Sequence, residues 1–109
     1  MTNDTLSSLD KVIEDRRANP REGSYTSYLF EKGLDKTLKK IGEESAEVII
    51  AAKNGSKEEL CGEVCDLIFH LLVMMNQKNL PLDDVFAELE SRSQKTGNLK
   101  ELKAVDKNS

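Results

Sequence analysis

From residue 34 to residue 77 the sequence keeps a helical rhythm and breaks it once, at Asn54-Gly55-Ser56. The break joins a stop to a start. Gly55 follows the last periodic residue, and Ser56 is followed three positions later by Glu59, the pattern of a capping box. So short an interruption between two long helices predicts a chain that folds back on itself. Before the break stands Glu43-Glu44-Ser45-Ala46-Glu47, and fifteen residues later comes Glu63-Val64-Cys65-Asp66. Residues three or four apart share a helix face, so Glu44 and Glu47 project together from one arm and Glu63 and Asp66 from the other. Four carboxylates converging between facing helices repel one another unless a cation neutralises them. An all-oxygen set suits Mg²⁺ or Mn²⁺.

The remaining elements follow from periodicity. A first helix is expected over about residues 4–18, with Leu6, Leu9, Val12 and Ile13 as its apolar stripe. Pro20 and Gly23 end that pattern, and residues 19–33 form a polar and aromatic connection with a short helical turn near 26–31. A connection of that length in a small domain is either functional or a surface link with its tyrosines packed down. The second helix runs over about residues 34–53 and the third over about 56–77. A fourth opens at Pro81, a favoured first-turn residue, and continues to about residue 94, where Gly97 follows as a stop. The polar tail, residues 98–109, is expected to fray. Nothing alternates as a strand would. The class is all-α, a four- to five-helix bundle in a single domain over residues 1–109, with its helical core at about residues 5–95.

Composition narrows the functions open to such a bundle. A net charge of −4 excludes the basic stripe of a nucleic-acid surface, and 5% aromatics without Trp offer no base-stacking platform. It leaves room for an anionic small molecule, because Lys36, Lys39 and Lys40 stand on the same face as the first acidic group. Taken alone, that face also reads as solvated lysine–glutamate pairs. The N-terminus has no basic segment followed by an apolar core, and the longest apolar run, residues 67–75, is broken by His70 and too short for a bilayer. A cytoplasmic protein is expected. That run is apolar nearly all round, more than one small domain can cover, which predicts a second copy packed against it as a homodimer.

Cys61 and Cys65 fall on the side of the third helix opposite Glu63 and are expected as small core residues, neither metal ligands nor a disulfide. His70 lies one turn beyond Asp66. It is either a satisfied core histidine or a group standing behind the carboxylates or against a substrate.

Three chemistries compete for the carboxylates. A ferritin-like di-iron centre needs a Glu-x-x-His on each of two helices, and the chain has one histidine. Zinc is disfavoured for the same reason. What remains is Mg²⁺ bridging carboxylates to substrate phosphates, activating water and stabilising charge during in-line attack.

The arrangement Glu-Glu-x-x-Glu, a spacer, then Glu-x-x-Asp resembles the MazG-type all-α nucleotide pyrophosphohydrolases. More narrowly, Gly23-Ser24-Tyr25-Thr26-Ser27-Tyr28-Leu29, Lys39-Lys40-Ile41-Gly42-Glu43-Glu44 and Asp66-Leu67-Ile68-Phe69-His70-Leu71-Leu72 resemble the phosphoribosyl-ATP pyrophosphatases of histidine biosynthesis. The likeness covers about residues 5–95. It implies hydrolysis of phosphoribosyl-ATP to phosphoribosyl-AMP and pyrophosphate, cleaved between the α and β phosphates, by a homodimer or larger assembly of the stand-alone form. By motif it implies Glu44, Glu47, Glu63 and Asp66 as Mg²⁺ ligands and Glu43 as the residue that orients or deprotonates water, with Glu44 and Glu47 sharing the catalytic group. It also implies substrate contacts from Ser24, Tyr25, Thr26, Lys36, Lys39, Lys40 and His70.

Two rivals remain at this point. One is a house-cleaning pyrophosphohydrolase of the same superfamily, with the same metal site but another base and sugar. The other is a non-catalytic helical dimerisation module whose acidic face is merely solvated.

Overall fold

The computed structural model describes residues 4–95. Five helices follow one another: α1 (Thr5–Ala18), α2 (Tyr25–Lys32), α3 (Leu34–Asn54), α4 (Lys57–Gln77) and α5 (Leu82–Ser93). No strand occurs among the described residues. The expected elements are all present, with ends that shift by a residue or two. The short turn expected near 26–31 is a complete two-turn helix. Gly97 and the tail at residues 98–109 lie outside the described residues.

The break at 54–56 acts as its residues dictate. Gly55 N–H donates to the Ala51 carbonyl (2.8 Å), and Ser56 Oγ accepts from Glu59 N–H (3.1 Å), satisfying a donor that the new helix would leave open. The result is the α3–α4 hairpin, the most extensive helix pair of the molecule. Ser24 caps α2 in the same way, accepting from Ser27 N–H (3.1 Å). A single residue separates α2 from α3. Gly33 sits at φ 94°, ψ −179°, a conformation essentially closed to residues with a Cβ, and it turns the chain sharply between the two helices. α4 ends at Gln77, two residues before the left-handed Asn79 (φ 57°), and Arg17 of α1 donates to the Asn76 carbonyl (2.6 Å) and to Asn76 Oδ1 (2.9 Å). A cation is thereby placed where the α4 dipole is negative.

The core gathers Ile13, Leu29, Leu72, Val73, Met75 and Leu82, flanked by Leu9, Phe30, Phe69, Met74 and Val85. It lies over the C-terminal half of α4, where α1, α2 and the start of α5 converge. The other half of the hairpin is uncovered. Leu38 and Ile49 of α3 and Val64 and Ile68 of α4 are exposed, Ile49 by 68%.

The two cysteines correct one expectation. Cys61 and Cys65 are free and exposed, not core residues. Their helical position is the one read from the spacing. Among the described residues no element covers that side of α4, because α1 and α2 pack against the other end. The proximity of Cys61, then burial, pushes the Cys65 thiol up.

Candidate active site: three carboxylates between α3 and α4

Folding the hairpin brings the two acidic motifs together. Carboxylate oxygens of Glu44 (α3), Glu63 and Asp66 (α4) all lie within 4.8 Å of one another. Their exposure is graded: Glu44 is buried, Glu63 half-buried and Asp66 exposed. Glu44 is the unusual member. Its Oε2 is sealed from solvent and has no hydrogen-bond partner, while its Oε1 lies 3.8 Å from Lys40 Nζ. An ionised oxygen left alone in the interior is costly unless a cation completes it.

Glu47 stands beside this group and engages Glu63. A hydrogen bond to Glu47, burial and the charges of Glu47, Glu44 and Asp66 together push the Glu63 carboxyl up to about 7. A hydrogen bond between two carboxyl groups needs one of them protonated, so the closeness of Glu47 favours the protonated form of Glu63. A crevice of about 540 Å³ along the hairpin opens beside Glu47, Glu63 and Asp66 and continues past Glu58 and Glu59. All four carboxylates expected at the metal thus meet, three as a compact group and Glu47 through Glu63.

The lysines do not behave alike. Lys40 Nζ reaches Glu43 (3.4 Å) and Glu44 (3.8 Å). Burial alone would lower its pKa, but the Glu43 hydrogen bond, Tyr25 and the two glutamates outweigh it and leave the ammonium raised. Among the described residues Lys36 and Lys39 make no ion pair, and Lys39 is exposed. Glu43 points outward, its side chain 47% exposed.

α2 supplies the other wall. Ser24 spends its side-chain oxygen on the helix cap, and Thr26 is half-buried. Tyr25 packs against Tyr28 (ring centroids 5.9 Å), Phe69 (6.0 Å) and His70 (5.6 Å), and its hydroxyl meets His70 Nε2 at 2.9 Å. Burial raises its phenol, with Lys40 opposing and Glu44 assisting, so the ring stands within the field of the α3 charges. His70 is buried, and its Nδ1 lies 2.7 Å from the Asp66 carbonyl oxygen. Both ring nitrogens are therefore used within the protein.

One part of the surroundings escaped the sequence reading. A cavity of about 1170 Å³ lies along α2, lined by Arg17, Arg21, Tyr25, Tyr28 and Gln77 among others. Arg21 and Tyr28 belong to the connection whose composition had marked it, but only the tertiary fold sets Arg17 and Gln77 beside them.

Comparison with known proteins finds relatives along most of the chain. Residues 6–93 match the family described as phosphoribosyl-ATP pyrophosphohydrolase. A phosphoribosyl-ATP pyrophosphatase of Clostridium acetobutylicum is 58% identical over 99 residues, covering 91% of this chain and 90% of the relative. One of Clostridium botulinum is 57% identical over 106 residues, 96% of each chain. A histidine biosynthesis bifunctional protein of Caldanaerobacter subterraneus is 55% identical over 97 residues, which are 86% of this chain and 47% of that protein.

Proposed function

The chain belongs to the phosphoribosyl-ATP pyrophosphohydrolase family, and from that membership we propose that it hydrolyses phosphoribosyl-ATP to phosphoribosyl-AMP and pyrophosphate, a step of histidine biosynthesis. The observation that carries the reading is the sealed, unpartnered Glu44 Oε2 within a group of three carboxylates. Two oxygens bound to one Mg²⁺ stand about 3–4 Å apart, so oxygens already within 4.8 Å converge on an ion by small side-chain rotations. The donors are all oxygen, which favours Mg²⁺, with Mn²⁺ as a substitute.

Glu44, Glu63 and Asp66 would hold the ion, and Glu47 joins them by giving up its hydrogen bond to Glu63. Bound there, Mg²⁺ neutralises phosphate charge and acidifies water. Lys40, steadied by Glu43 and Glu44, offers its remaining donors to phosphate oxygens, and Lys36 and Lys39 add charge without a competing ion pair. Glu43, outward and exposed beside Lys40, orients or deprotonates the attacking water. The α2 N-terminus lines, with Ser24 and Tyr25, the cavity that would receive the nucleoside part, and Thr26 follows them as a further candidate contact.

We assign the active form to a homodimer. Leu38 and Ile49 lie three turns apart on one side of α3, and Cys61, Val64, Cys65 and Ile68 share one side of α4, making an apolar face left exposed among the described residues. The cytoplasm is the compartment this reading calls for, since a free polyphosphate substrate does not cross membranes unaided. No helix among the described residues is long and apolar enough to span one.

The test is pyrophosphate release with Mg²⁺ from phosphoribosyl-ATP, beside ATP and a set of deoxynucleoside triphosphates, with Glu47→Gln as control. Release from phosphoribosyl-ATP alone, lost in the variant, is the expected result. Release only from other nucleotides would move the protein to the house-cleaning branch. No release from any, with the variant folded like the parent, would leave a binding module.

A further inference from the structure

His70 joins two parts of the site that the chain itself keeps far apart. Its Nδ1 lies 2.7 Å from the carbonyl oxygen of Asp66, a group that can only accept, so Nδ1 carries the ring proton. In the neutral ring that leaves Nε2 as an acceptor, and its partner among the described residues is the Tyr25 hydroxyl at 2.9 Å. The hydroxyl therefore donates to His70 and has only lone pairs left to offer elsewhere. The ring is 4% exposed and enclosed edge-on by Tyr25 and Phe69 (centroids 5.6 and 5.1 Å), which leaves it no other orientation to adopt.

We infer that His70 is a positioning residue. It ties the first residue of α2 to the turn of α4 that carries Asp66, and it fixes the Tyr25 oxygen as a hydrogen-bond acceptor facing the Lys40 end of α3. A phenol oxygen so fixed accepts from a donor on the bound nucleotide, a ribose hydroxyl or an amino group, or from Lys40 itself. It rejects an acceptor at the same point. His70 thus acts on substrate recognition through Tyr25, without touching substrate.

This inference rests on the proposed hydrolysis for its kinetic arm only. His70 is the one histidine of the chain, so its ring nitrogens give a single unambiguous pair of ¹⁵N resonances. The parent protein should show Nδ1 protonated and Nε2 unprotonated, and Tyr25→Phe should shift Nε2 while leaving Nδ1 in place. A ring protonated at Nε2 in the parent, or an Nε2 resonance indifferent to Tyr25→Phe, would overturn the inference whatever the enzyme's substrate. In the kinetic arm, His70→Phe keeps the ring's bulk and should raise KM for phosphoribosyl-ATP about tenfold, the worth of one hydrogen bond. Tyr25→Phe should do the same, and the double variant no worse than either single, because both remove one link. His70→Gln, whose amide oxygen can replace Nε2 as acceptor, should recover most of the loss. Additive losses, or a fall in thermal stability with KM unmoved, would mean that His70 only fills the core. Absence of activity in the parent would sink the proposed function and leave the resonance result standing.

Discussion

Glu63 faces Glu47 across the α3–α4 hairpin, and that neighbour, with burial and the charges of Glu44 and Asp66, pushes the Glu63 carboxyl up to about 7. An ordinary glutamate in the unfolded chain titrates at 4.5. Between those values the folded state holds the proton and the unfolded state has lost it. The group's contribution therefore weakens the fold as pH rises through that window. With metal removed by chelator, the melting temperature should fall from pH 5 to pH 8, and Glu63→Gln should flatten that slope and melt higher than the parent at pH 8. Mg²⁺ competes with the same proton, so its affinity should drop as pH falls below about 7. Thermal melts across pH, with and without Mg²⁺, check both. A slope unchanged in Glu63→Gln would place the titrating group elsewhere.

Glu44 makes the sharpest separation between catalysis and stability. Replacing a direct ligand should cost at least about as much as disturbing the groups behind one, roughly 100-fold in metal affinity or turnover. Glu44→Gln also removes a buried, incompletely partnered charge, so the metal-free variant should be as stable as the parent or more so. Mn²⁺ titration and pyrophosphate release read the first effect, and a chelated melt reads the second. Full activity in a folded Glu44→Gln protein would refute the metal assignment.

Gly33 tests the fold alone. No atom lies within 4 Å of where its Cβ would stand, so Gly33→Ala introduces no clash, yet φ of 94° remains unfavourable for alanine. A loss of about 1–3 kcal/mol is expected in denaturant unfolding. Because α2 and α3 meet at this residue, KM should rise as well while metal affinity holds. A variant as stable as the parent would show that the α2–α3 joint relaxes without glycine.

The uncovered hairpin face predicts the assembly. The parent should run as a dimer by light scattering at micromolar concentration, and Ile49→Lys combined with Ile68→Lys should convert it to a monomer. A parent that stays monomeric at high concentration would remove the second copy from the account. The same measurement bears on Cys61 and Cys65, exposed in one chain and expected to resist thiol reagents once that face is covered.

Much of this was legible in the chain because its signals are local. The Gly55–Ser56 stop and start, the Ser24 cap and the helical spacing of Glu44 with Glu47 and of Glu63 with Asp66 all depend on neighbours within a turn or two. The motif resemblance then matched the family found by comparison. The cysteines were misplaced for an equally clear reason. Periodicity tells which side of a helix a residue occupies, and only the packing of other elements tells whether that side is covered.

By itself, the sequence determined four helices with a short helical turn between the first two, one hairpin and the facing of its acidic motifs, since capping and helical period act over a few residues and survive any packing. Tertiary structure alone decided the rest. It sealed Glu44 while leaving Glu43 in solvent, and it set Glu63 against Glu47, which pushes the Glu63 carboxyl up to about 7. It also set Tyr25 against His70, 45 positions away in the chain. Burial, charge coupling and long-range hydrogen bonds depend on which surfaces meet, and no spacing along one strand of residues records that.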